Sequence, residues 1–390
     1  MRGLLRFVTI IVAFALAPAA PATTFVVSNT ADSGPGSLRQ AMLDANAAQV
    51  TGPSACAPHQ VVFSIPGTGP HAIRPLSPLP VIDIAIEFNG LSQPGSVENS
   101  LLQGSNAVLR IEIDGSLAGP ADGFVLRSRV PGVPGCGGAG SIFRGLVINR
   151  WQGAAISVGE TACPLDLACI SGGVRILGNH IGTDASGMMA AGNGIALGRP
   201  TLAFGRGSTF NIVGEQVLGD GGATSPTPLA RNVIAAGGSH AIQIASPVAT
   251  QPAIDHRIRN NYIGLNAQGT AMLPNAGDGV RLAAGASSTQ VVENLIAGNT
   301  GSGIRIDAGA VGVHALAGNG IGIGVGGVAL GNGGDGIRIE GPSGTATVAR
   351  VYPFNTGSSA SISANGGAGI RVDGPAWVDV LAASVDGNAA

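Results

Sequence analysis

The sequence predicts an all-β fold, a parallel β-solenoid that begins with a short capping helix. Near-copies of one string, Asn-x-Gly-x-Gly-[Val/Ile]-Arg-[Leu/Ile/Val], occur at residues 275–282, 299–306, 332–339 and 365–372. Glycine is abundant, with 64 residues, yet the hydrophobic fraction of 45% is too high for a chain that stays unfolded. No helical period of apolar residues separates the copies, so the units are interpreted as stacked coils of short strands.

The composition excludes several classes of function. All basic residues other than histidine are arginine, which excludes a Schiff-base lysine and a phosphate-loop lysine. The net charge of −2 provides no global field for nucleic acid or an anionic membrane, so neither is expected as a partner. No zinc or dinucleotide motif stands out, and we expect no cofactor and no metal.

Residues 1–22 are predicted to be a signal peptide. A charged start (MRGLLR) precedes an apolar run to about Leu16, and the small residues around Pro21 place the cleavage after Ala22. The run is too short to span a bilayer stably, and no later run is long enough, so no integral membrane segment is expected. We therefore expect an exported protein, extracellular or at the cell surface, with the periplasm as the other open location.

Residues 23–130 are predicted to form the N-terminal cap and the first coils. TFVV is interpreted as a strand, and Ser37 is placed to cap a short helix whose Leu38, Met42 and Ala45 share one face. A solenoid needs an element over its apolar end, and this helix suits that position. The segments VVFSIP, HAIRPL, VIDIAIEFNG and LRIEIDG alternate in polarity and are interpreted as strands.

Residues 131–390 are predicted to be the repeated coils. Weaker relatives of the apolar-x-apolar triplet occur at 156–158, 195–197 and 242–244. SVDGN at 384–388 begins a turn without its usual following strand, so the repeat is expected to end in mid-coil. An exposed last coil is expected to make end-to-end contact with another molecule. The alternative is that a C-terminal partner region, missing from this sequence, covers it.

A second element, Asn-x-Ile, recurs between the triplets, and the gap to the next triplet alternates between short and long. This alternation predicts an insertion on every second unit. The element begins at Asn179, Asn232, Asn261, Asn294 and Asn319.

Alternation within each triplet predicts which side chains face the core. Ile304 and Ile306 are expected to point inward and Arg305 outward. The glycines before each triplet are expected to adopt a positive φ at a corner. The asparagines that open the four strings are expected to form a turn ladder with bonded amides. They are Asn275, Asn299, Asn332 and Asn365.

The arginines of the four triplets are expected to form a row on one outer face. Asp307, Glu340 and Asp373 lie two residues after three of them, whereas Ala283 takes this place after Arg281. The row is interpreted either as a self-neutralised array that opposes aggregation, or as a stripe that binds acidic polysaccharide through guanidinium–carboxylate pairs. The possible glycan-binding residues are Arg281, Arg305, Arg338 and Arg371.

Aspartates beside the glycines raise the question of calcium. Only Asp278 and Asp335 occupy the relevant position, while Ser302 and Ala368 fill the other two. A calcium array needs oxygen ligands on successive turns, so calcium is not expected here.

The four cysteines form an even set, which favours disulfides in an exported chain. Cys163 and Cys169 lie close together in TACPLDLAC and form the first proposed pair. Cys56 and Cys136 are then left to pair with each other.

Several longer strings in the mature chain match a known pattern. VSNTADSGPGSLRQAMLDANA is followed by VVFSIPGTGPHAIRPLSPLPVI, NGLSQPG, IEIDG and FRGLVINRWQGAAISV, and later by NHIGTDASG and RNVIAAGG. Together they resemble a family of exported bacterial right-handed parallel β-helix repeat proteins. The resemblance spans nearly the whole mature chain. It implies a right-handed helix and surface or extracellular placement, and it implies no catalytic residues.

Two functions remain open. The first is a secreted or cell-surface solenoid without catalysis that is structural, adhesive or glycan-binding, with polysaccharide or other surface components as partners. The second is a polysaccharide lyase or glycoside hydrolase on the same scaffold. Glu112 and Asp114 could supply paired carboxylates but are interpreted as the solvated face of an early strand. His180 is interpreted either as a surface position, which is the commoner case, or as one specialised site, and Asp184 is interpreted as a turn former. The aromatic residues best suited to stack on sugars are Trp151, Tyr262 and Trp377.

Overall fold

The protein is a right-handed parallel β-helix, which confirms the predicted all-β fold class. The computed structural model describes residues 22–48, 57–127, 137–159, 171–214, 228–248, 250–341, 348–352, 360–381 and 383–389. The predicted signal peptide, apart from its last residue, and all four cysteines lie outside these ranges. Within them, no helix is both long and apolar enough to cross a bilayer.

Within the described residues, four sheets run along the helix axis, and neighbouring strands of a sheet come from successive coils. Sheet A comprises Thr24–Val27, His59–Phe63, Ile86–Asn89, Ile142–Arg144, Arg175–Leu177, Ile212–Val213, Arg257–Arg259, Gln290–Val292, Val313–Ala317, Val348–Tyr352 and Trp377–Val380. Sheet B comprises His71–Ile73, Ile111–Asp114, Val147–Asn149, His180–Ile181, Val233–Ile234, Tyr262–Ile263, Leu295–Ile296, Gly320–Ile321, Ser361–Ser363 and Ser384–Asp386. Sheet C comprises Phe124–Leu126, Ile156–Val158, Leu202–Phe204, Ile242–Ile244, Val280–Leu282, Ile304–Ile306, Ile337–Glu340 and Ile370–Asp373. The small sheet D comprises Ser171–Gly172, Ser208–Thr209, Ala253–Ile254 and Ala286–Ser287.

A ten-residue helix, Leu38–Ala47, lies against the first strands of sheet A. Ser37 caps it, since its hydroxyl accepts a hydrogen bond from Gln40 N at 3.2 Å. The predicted apolar face is buried, so the helix covers the N-terminal end of the core as expected. Short 3₁₀ turns occur at Gly90–Ser92, Gly115–Leu117, Pro228–Ala230 and Val325–Gly327.

The core is built from columns of identical or similar side chains. Sheet B supplies an isoleucine column in which each residue pairs in register with the next coil. Complete burial of one such side chain contributes about 1.5–3 kcal/mol to folding. The column comprises Ile73, Ile113, Ile148, Ile181, Ile234, Ile263, Ile296, Ile321 and Ile362, all buried.

The glycines that precede the sheet C strands permit close packing rather than a left-handed backbone, which corrects the expectation from sequence. At the corner between sheets B and C, the residues with a left-handed backbone include Gly298 (φ 71°) and Ala364 (φ 63°). They directly precede the turn asparagines Asn299 and Asn365. A Cβ atom on Gly303 would lie 2.5 Å from Ile321 Cγ2 and 2.7 Å from Gly336 O. A side chain at this position therefore collides with the isoleucine column and with the next coil.

The weak triplet at 195–197 is not a strand of sheet C, so its assignment was wrong. The strand of this coil is Leu202–Phe204, which pairs with Ile156–Val158 and with Ile242–Ile244. Ile195 is 66% exposed and lies in the loop that connects a strand of sheet B to the following strand of sheet C. The string resembles the repeat locally, but pairing with the neighbouring coils decides which segment enters the sheet.

Three reversals of the chain, which we call flaps, lie over the outer face of sheet B. Flap 1 (residues 183–190), flap 2 (265–272) and flap 3 (323–329) are each closed by an antiparallel bridge between their end residues. A small apolar cluster joins the flaps to the sheet and includes Tyr262 of sheet B and Leu265 of flap 2. The outer face of this sheet is therefore largely buried, unlike a solvated β-face.

The flaps stack on one another. Ala267 N donates to Gly187 O at 2.8 Å, and Val325 N donates to Gly269 O at 2.8 Å. Each flap consists of two antiparallel chain segments that lie side by side along the helix axis. Because neighbouring segments and neighbouring coils are both spaced by about 4.8 Å, one flap covers the axial length of two coils. This geometry accounts for the alternation of long and short gaps in the sequence.

A long loop, which we call the strap (residues 97–108), crosses several coils. It leaves the helix between sheets A and B and is closed by a bridge between its end residues. Gly104 N donates to Tyr262 Oη at 2.9 Å, and Gln268 Nε2 donates to Ser105 O at 2.8 Å. The Tyr262 strand lies four places beyond the Ile111–Asp114 strand in sheet B, so the strap reaches about 19 Å along the axis.

Candidate functional site

The four repeated arginines lie in one row on the outer face of sheet C. Arg281 pairs in register with Arg305, Arg305 with Arg338, and Arg338 with Arg371. Successive arginines are therefore about 4.8 Å apart along the axis. The flanking Ile304 is fully buried, because alternate residues of a strand face opposite sides. We call this row, with its interleaved acids, the charge ladder: Arg281, Asp307, Arg305, Glu340, Arg338, Asp373 and Arg371.

Carboxylates of the charge ladder bridge arginines of successive coils. Asp307 Oδ2 accepts from Arg281 Nε at 2.8 Å, and its Oδ1 accepts from Arg305 Nε at 2.8 Å. Glu340 Oε1 lies 2.9 Å from Arg305 Nη2 and 3.2 Å from Arg338 Nη2. Arg281 has Ala283 in place of an acid in its own strand, and its acidic partner, Asp307, comes from the next coil.

The last rung of the charge ladder is its most accessible part. Asp373 lies 3.3 Å from Arg338 and 3.1 Å from Arg371. The Arg371 side chain is 53% exposed, compared with 30% for Arg305. A ligand along this face would therefore find its most exposed guanidinium group at Arg371.

The carboxylates of the ladder favour the charged form of Arg305 and Arg371. Burial alone would lower the pKa of Arg305, but Asp307, followed by Glu340 and Asp278, raises it overall. Hydrogen bonding to Asp373 and the charge of Asp373 raise the pKa of Arg371. The cationic form of these two guanidinium groups is therefore favoured.

His240 and Asp278 lie at the first rung of the ladder. Arg281 Nη1 donates to His240 Nε2 at 3.0 Å, and His240 Nδ1 lies 3.2 Å from Asp278 Oδ2. Asp278 N also donates to His240 Nδ1 at 2.9 Å. Burial alone would raise the pKa of Asp278, but the bonds from His240 and Ser302 N and the charges of His240 and Arg305 lower it overall.

Sequence reasoning missed His240, although a signal was present. His240 lies two residues before the Ile242 triplet, and Asp278 lies two residues before the next triplet. Alignment of the triplets therefore stacks the two residues on successive coils. The coil that contains His240 matches the repeat only weakly, so the stacking of His240 on Asp278 was not predicted.

The two aspartates beside the repeat glycines, Asp278 and Asp335, bind backbone groups of the following coil. Asp278 Oδ1 accepts from Ser302 N at 2.8 Å, and Asp335 Oδ1 accepts from Ala368 N at 2.8 Å. Among the residues that the structure describes, no group of three or more His, Cys, Asp or Glu side chains is placed to hold a metal ion. These carboxylates therefore serve as turn acceptors.

The turn asparagines at the corner between sheets B and C are joined by their amides. Asn275 Nδ2 donates to Asn299 Oδ1 at 2.8 Å, and Asn299 Nδ2 donates to Asn332 Oδ1 at 2.8 Å. Asn332 Nδ2 donates to Asn365 Oδ1 at 2.9 Å, and Asn388 continues the column. All of the donors point toward the C-terminal end, so each amide bridges two coils.

A second asparagine column lies at the corner between sheets A and B. Asn232 Nδ2 donates to Asn261 Oδ1 at 2.9 Å, and Asn294 Nδ2 donates to Asn319 Oδ1 at 3.1 Å. These side chains are buried, and their backbone N–H groups donate to the same oxygens. The recurrence of Asn-x-Ile is thus explained by structure. The column comprises Asn179, Asn232, Asn261, Asn294 and Asn319.

The carboxylates considered for catalysis are tied to arginines. Arg150 Nη1 lies 2.9 Å from Glu112 Oε1 and 3.4 Å from Asp114 Oδ2, and Arg74 Nε donates to Asp114 at 3.0 Å. Asp114 is buried rather than solvated, which corrects the sequence expectation, because it caps the following 3₁₀ turn. Burial alone would raise the pKa of Asp114, but bonds from Ser116 and Arg74 and the charge of Arg150 lower it overall.

The remaining catalytic candidates from sequence are mostly inaccessible. His180 is buried beneath flap 1, so the surface position predicted from the sequence was wrong. Asp184 accepts bonds from Ser186 Oγ at 2.8 Å and from Met188 N at 3.1 Å, as a turn former does. Of the three stacking aromatics, Trp151 and Tyr262 are buried and Trp377 is 72% exposed.

The fold and the charge ladder define a right-handed parallel β-helix with an ion-paired outer face. No protein-family profile matches the chain, and no curated protein sequence matches it. Among solved structures, the chain is similar to the A-module of mannuronan C-5 epimerase AlgE4 from Azotobacter vinelandii. The identity is 13%, the match covers 90% of this chain and 91% of that one, and the TM-score is 0.42. The chain is also similar to the Dettilon tailspike protein, with 12% identity, coverage of 92% and 68%, and a TM-score of 0.41.

Proposed function

We propose that the protein is an exported β-helix scaffold without catalytic activity that binds a glycan chain along the outer face of sheet C. The charge ladder is the observation that carries this proposal. Export follows from the charged start, apolar run and cleavage site of residues 1–22. The parallel coils present the same groups at a fixed spacing, which suits a polymeric ligand.

The ladder offers alternating donors and acceptors at a repeat of about 4.8 Å. Adjacent guanidinium and carboxylate groups form hydrogen bonds with neighbouring sugar hydroxyls, because one donates and the other accepts. Arg305 Nη1 and both Nη atoms of Arg371 make no hydrogen bond to any residue that the structure describes. These groups are free to donate to a ligand.

The local charge favours a neutral, hydroxyl-rich glycan over a strongly acidic one. The four ladder arginines face the three ladder carboxylates and the adjacent Asp278 and Asp335, which is four positive against five negative groups. Arg305 and Arg338 each already contact two carboxylates. A polyanionic glycan would therefore compete with the ladder carboxylates for these guanidinium groups.

Binding to a panel of neutral and acidic polysaccharides, measured by calorimetry, tests the proposal. We expect the double variant Arg305→Gln/Arg338→Gln to lose at least about tenfold in affinity, on the basis of 1.4 kcal/mol per decade. Arg305→Lys/Arg338→Lys keeps the charges but removes the planar donor fork and should lose less. The matched control is Arg175→Gln/Arg257→Gln on the exposed face of sheet A, which should bind as the parent does.

Two results would contradict this function. The first is an absence of binding to every glycan in the panel by the folded parent. The second is equal loss in the sheet A control, which would place the site elsewhere. Preferential binding of acidic chains that weakens with salt would retain glycan binding but reject the neutral preference.

The alternative is a polysaccharide lyase or glycoside hydrolase that uses Glu112 and Asp114. A general acid requires a raised pKa, whereas the pKa of Asp114 is lowered, which favours the ionised form. This lowering supports a structural carboxylate. Assays for new reducing ends and for unsaturated ends on pectin and alginate test the alternative. Cleavage that Asp114→Asn abolishes would replace the proposed function with catalysis.

A further inference from the structure

We propose that flap 1 is an acid-released latch. His180 lies beneath it as a neutral imidazole, and protonation of this ring on acidification opens flap 1 while flaps 2 and 3 stay closed. The inference is independent of glycan binding on sheet C, because it concerns the covered outer face of sheet B.

His180 is the side chain on which flap 1 rests. It is 3% exposed, and its Nδ1 lies 3.3 Å from Ala185 O of the flap. The imidazole therefore carries its hydrogen on Nδ1 and donates it to this carbonyl. Gly187 has a φ of 69°, and a Cβ atom there would lie 2.9 Å from His180 Cε1. The ring and the flap backbone are thus in direct contact, with no room for a solvated cation.

The surroundings offer little to stabilise a charged ring. Val147 and Val233 lie at the paired positions on the neighbouring coils, and flap 2 contributes Ala267 against Gly187. Asp184 in flap 1 is the charged group whose field reaches the imidazole. Burial lowers the pKa of His180 to about 4, against the smaller opposing effects of the Ala185 carbonyl and Asp184.

The other two flaps provide an internal comparison. The position that holds His180 in the sheet B row holds Tyr262 under flap 2 and Gly320 at flap 3. Neither residue gains a positive charge in acid. The three described flaps share the same closure by an antiparallel bridge, and of these three positions only that of flap 1 holds a residue that gains a charge in acid.

The sign and size follow from proton linkage. A ring with a pKa of about 4 when covered and about 6.5 when exposed binds a proton more tightly in the open state. Opening is therefore favoured as the pH falls from about 6.5 toward 4. The equilibrium constant for opening should rise on the order of 50-fold between pH 7 and pH 4.5.

Hydrogen exchange of the full chain, with protection factors corrected for the intrinsic pH dependence, tests the latch. Gly187 N, bonded to Asp184 O, and Ala191 N, bonded to Gly182 O, report on flap 1. Gly269 N, bonded to Asn266 O, reports on flap 2. Between pH 7 and 4.5 we expect protection of the flap 1 amides to fall about 50-fold, with that of Gly269 nearly constant.

Two variants remove the titration in different ways. His180→Asn keeps a side-chain donor for the Ala185 carbonyl, and His180→Phe keeps the ring volume. Both should make flap 1 protection nearly independent of pH in this range. Equal loss of protection in flaps 1 and 2, or an acid response that survives in both variants, would overturn the proposal.

Discussion

Asp307 joins two coils through one carboxylate: its Oδ2 accepts from Arg281, 26 residues away, and its Oδ1 accepts from Arg305 in its own strand, both at 2.8 Å. The carboxylate is 15% exposed, so solvent screens these pairs only in part. Two like charges about one coil apart are held beside each other by the acid between them.

Asp307→Asn should destabilise the coils on either side of it. The variant leaves Arg281 and Arg305 without their shared anion, and we expect a cost of about 1 kcal/mol in the free energy of unfolding. The measurement is urea denaturation at low and at high salt, and the difference from the parent should shrink at high salt. Asp373→Asn, at the exposed end of the ladder, is the matched control and should cost less. An equal effect of the two variants would contradict cooperation within the ladder.

Asn332→Ala should destabilise the protein more than a change at the end of its column. Asn332 Oδ1 accepts from Asn299, and its Nδ2 donates to Ile296 O and Asn365 Oδ1. Its removal leaves buried polar groups without partners, at a cost of about 2–4 kcal/mol. Thermal and urea unfolding measure the loss. Asn388→Ala, in a partly buried position, is the comparison, and a cost as large as that of Asn332→Ala would contradict this account.

Acid should destabilise the core around two buried histidines, His256 directly before a strand of sheet A and His314 within one. Burial lowers the pKa of His256 to about 3 and that of His314 to about 4, so both rings are neutral in the folded chain. Their contribution is complete above the unfolded pKa of about 6.5 and is lost as the pH falls toward the folded values. At pH 4.5 the loss per ring is about 2–3 kcal/mol relative to pH 7.

His314→Asn isolates one of these two contributions. His314 Nδ1 accepts from Thr289 N at 3.3 Å, and an asparagine oxygen can take its place. Nε2 has no partner among the described residues, so its loss costs little. We expect a shallower dependence of the unfolding free energy on pH between 6.5 and 4. A slope identical to that of the parent would show that His314 does not titrate on unfolding.

Arg231→Met should release the strap (residues 97–108) without unfolding the β-helix. Arg231 Nη1 donates to Gly104 O at 2.6 Å, Nη2 donates to Leu102 O at 2.5 Å, and the guanidinium lies 4.5 Å from the centre of the Tyr262 ring. Faster hydrogen exchange of the strap amides, with unchanged exchange in sheet C, is the expected outcome. Tyr262→Phe removes only the bond from Gly104 N and should cost about 1 kcal/mol. Unchanged exchange of the strap in Arg231→Met would contradict its anchoring role.

The solenoid could be predicted because its signals are local and repeated. Alternation placed Ile304 inward and Arg305 outward, and the spacing of the triplets placed their strands on successive coils. The 195–197 triplet shows the limit of such reasoning. It has the local pattern of a strand, yet residues 202–204 occupy the sheet because they continue the pairing of the neighbouring coils.

The candidate site could be predicted only in part. The row of arginines follows from their equivalent positions in the repeat. The partner of Arg281 and the stacking of His240 on Asp278 depend on which residues of the next coil come within hydrogen-bond distance. The burial of Asp114 depends on its capping of the next turn, so strand alternation gave the wrong exposure.

The sequence by itself determined the all-β class, the capping helix and the repeat, because side-chain period and turn chemistry act within a few residues. Only the tertiary structure decided how charges pair between coils and what covers sheet B. Many of these contacts join residues that are close in space but far apart in the chain, such as Arg281 and Asp307, 26 positions apart, or Gly104 and Tyr262, 158 positions apart. Their free energy depends on distance and burial, which a one-dimensional pattern does not specify.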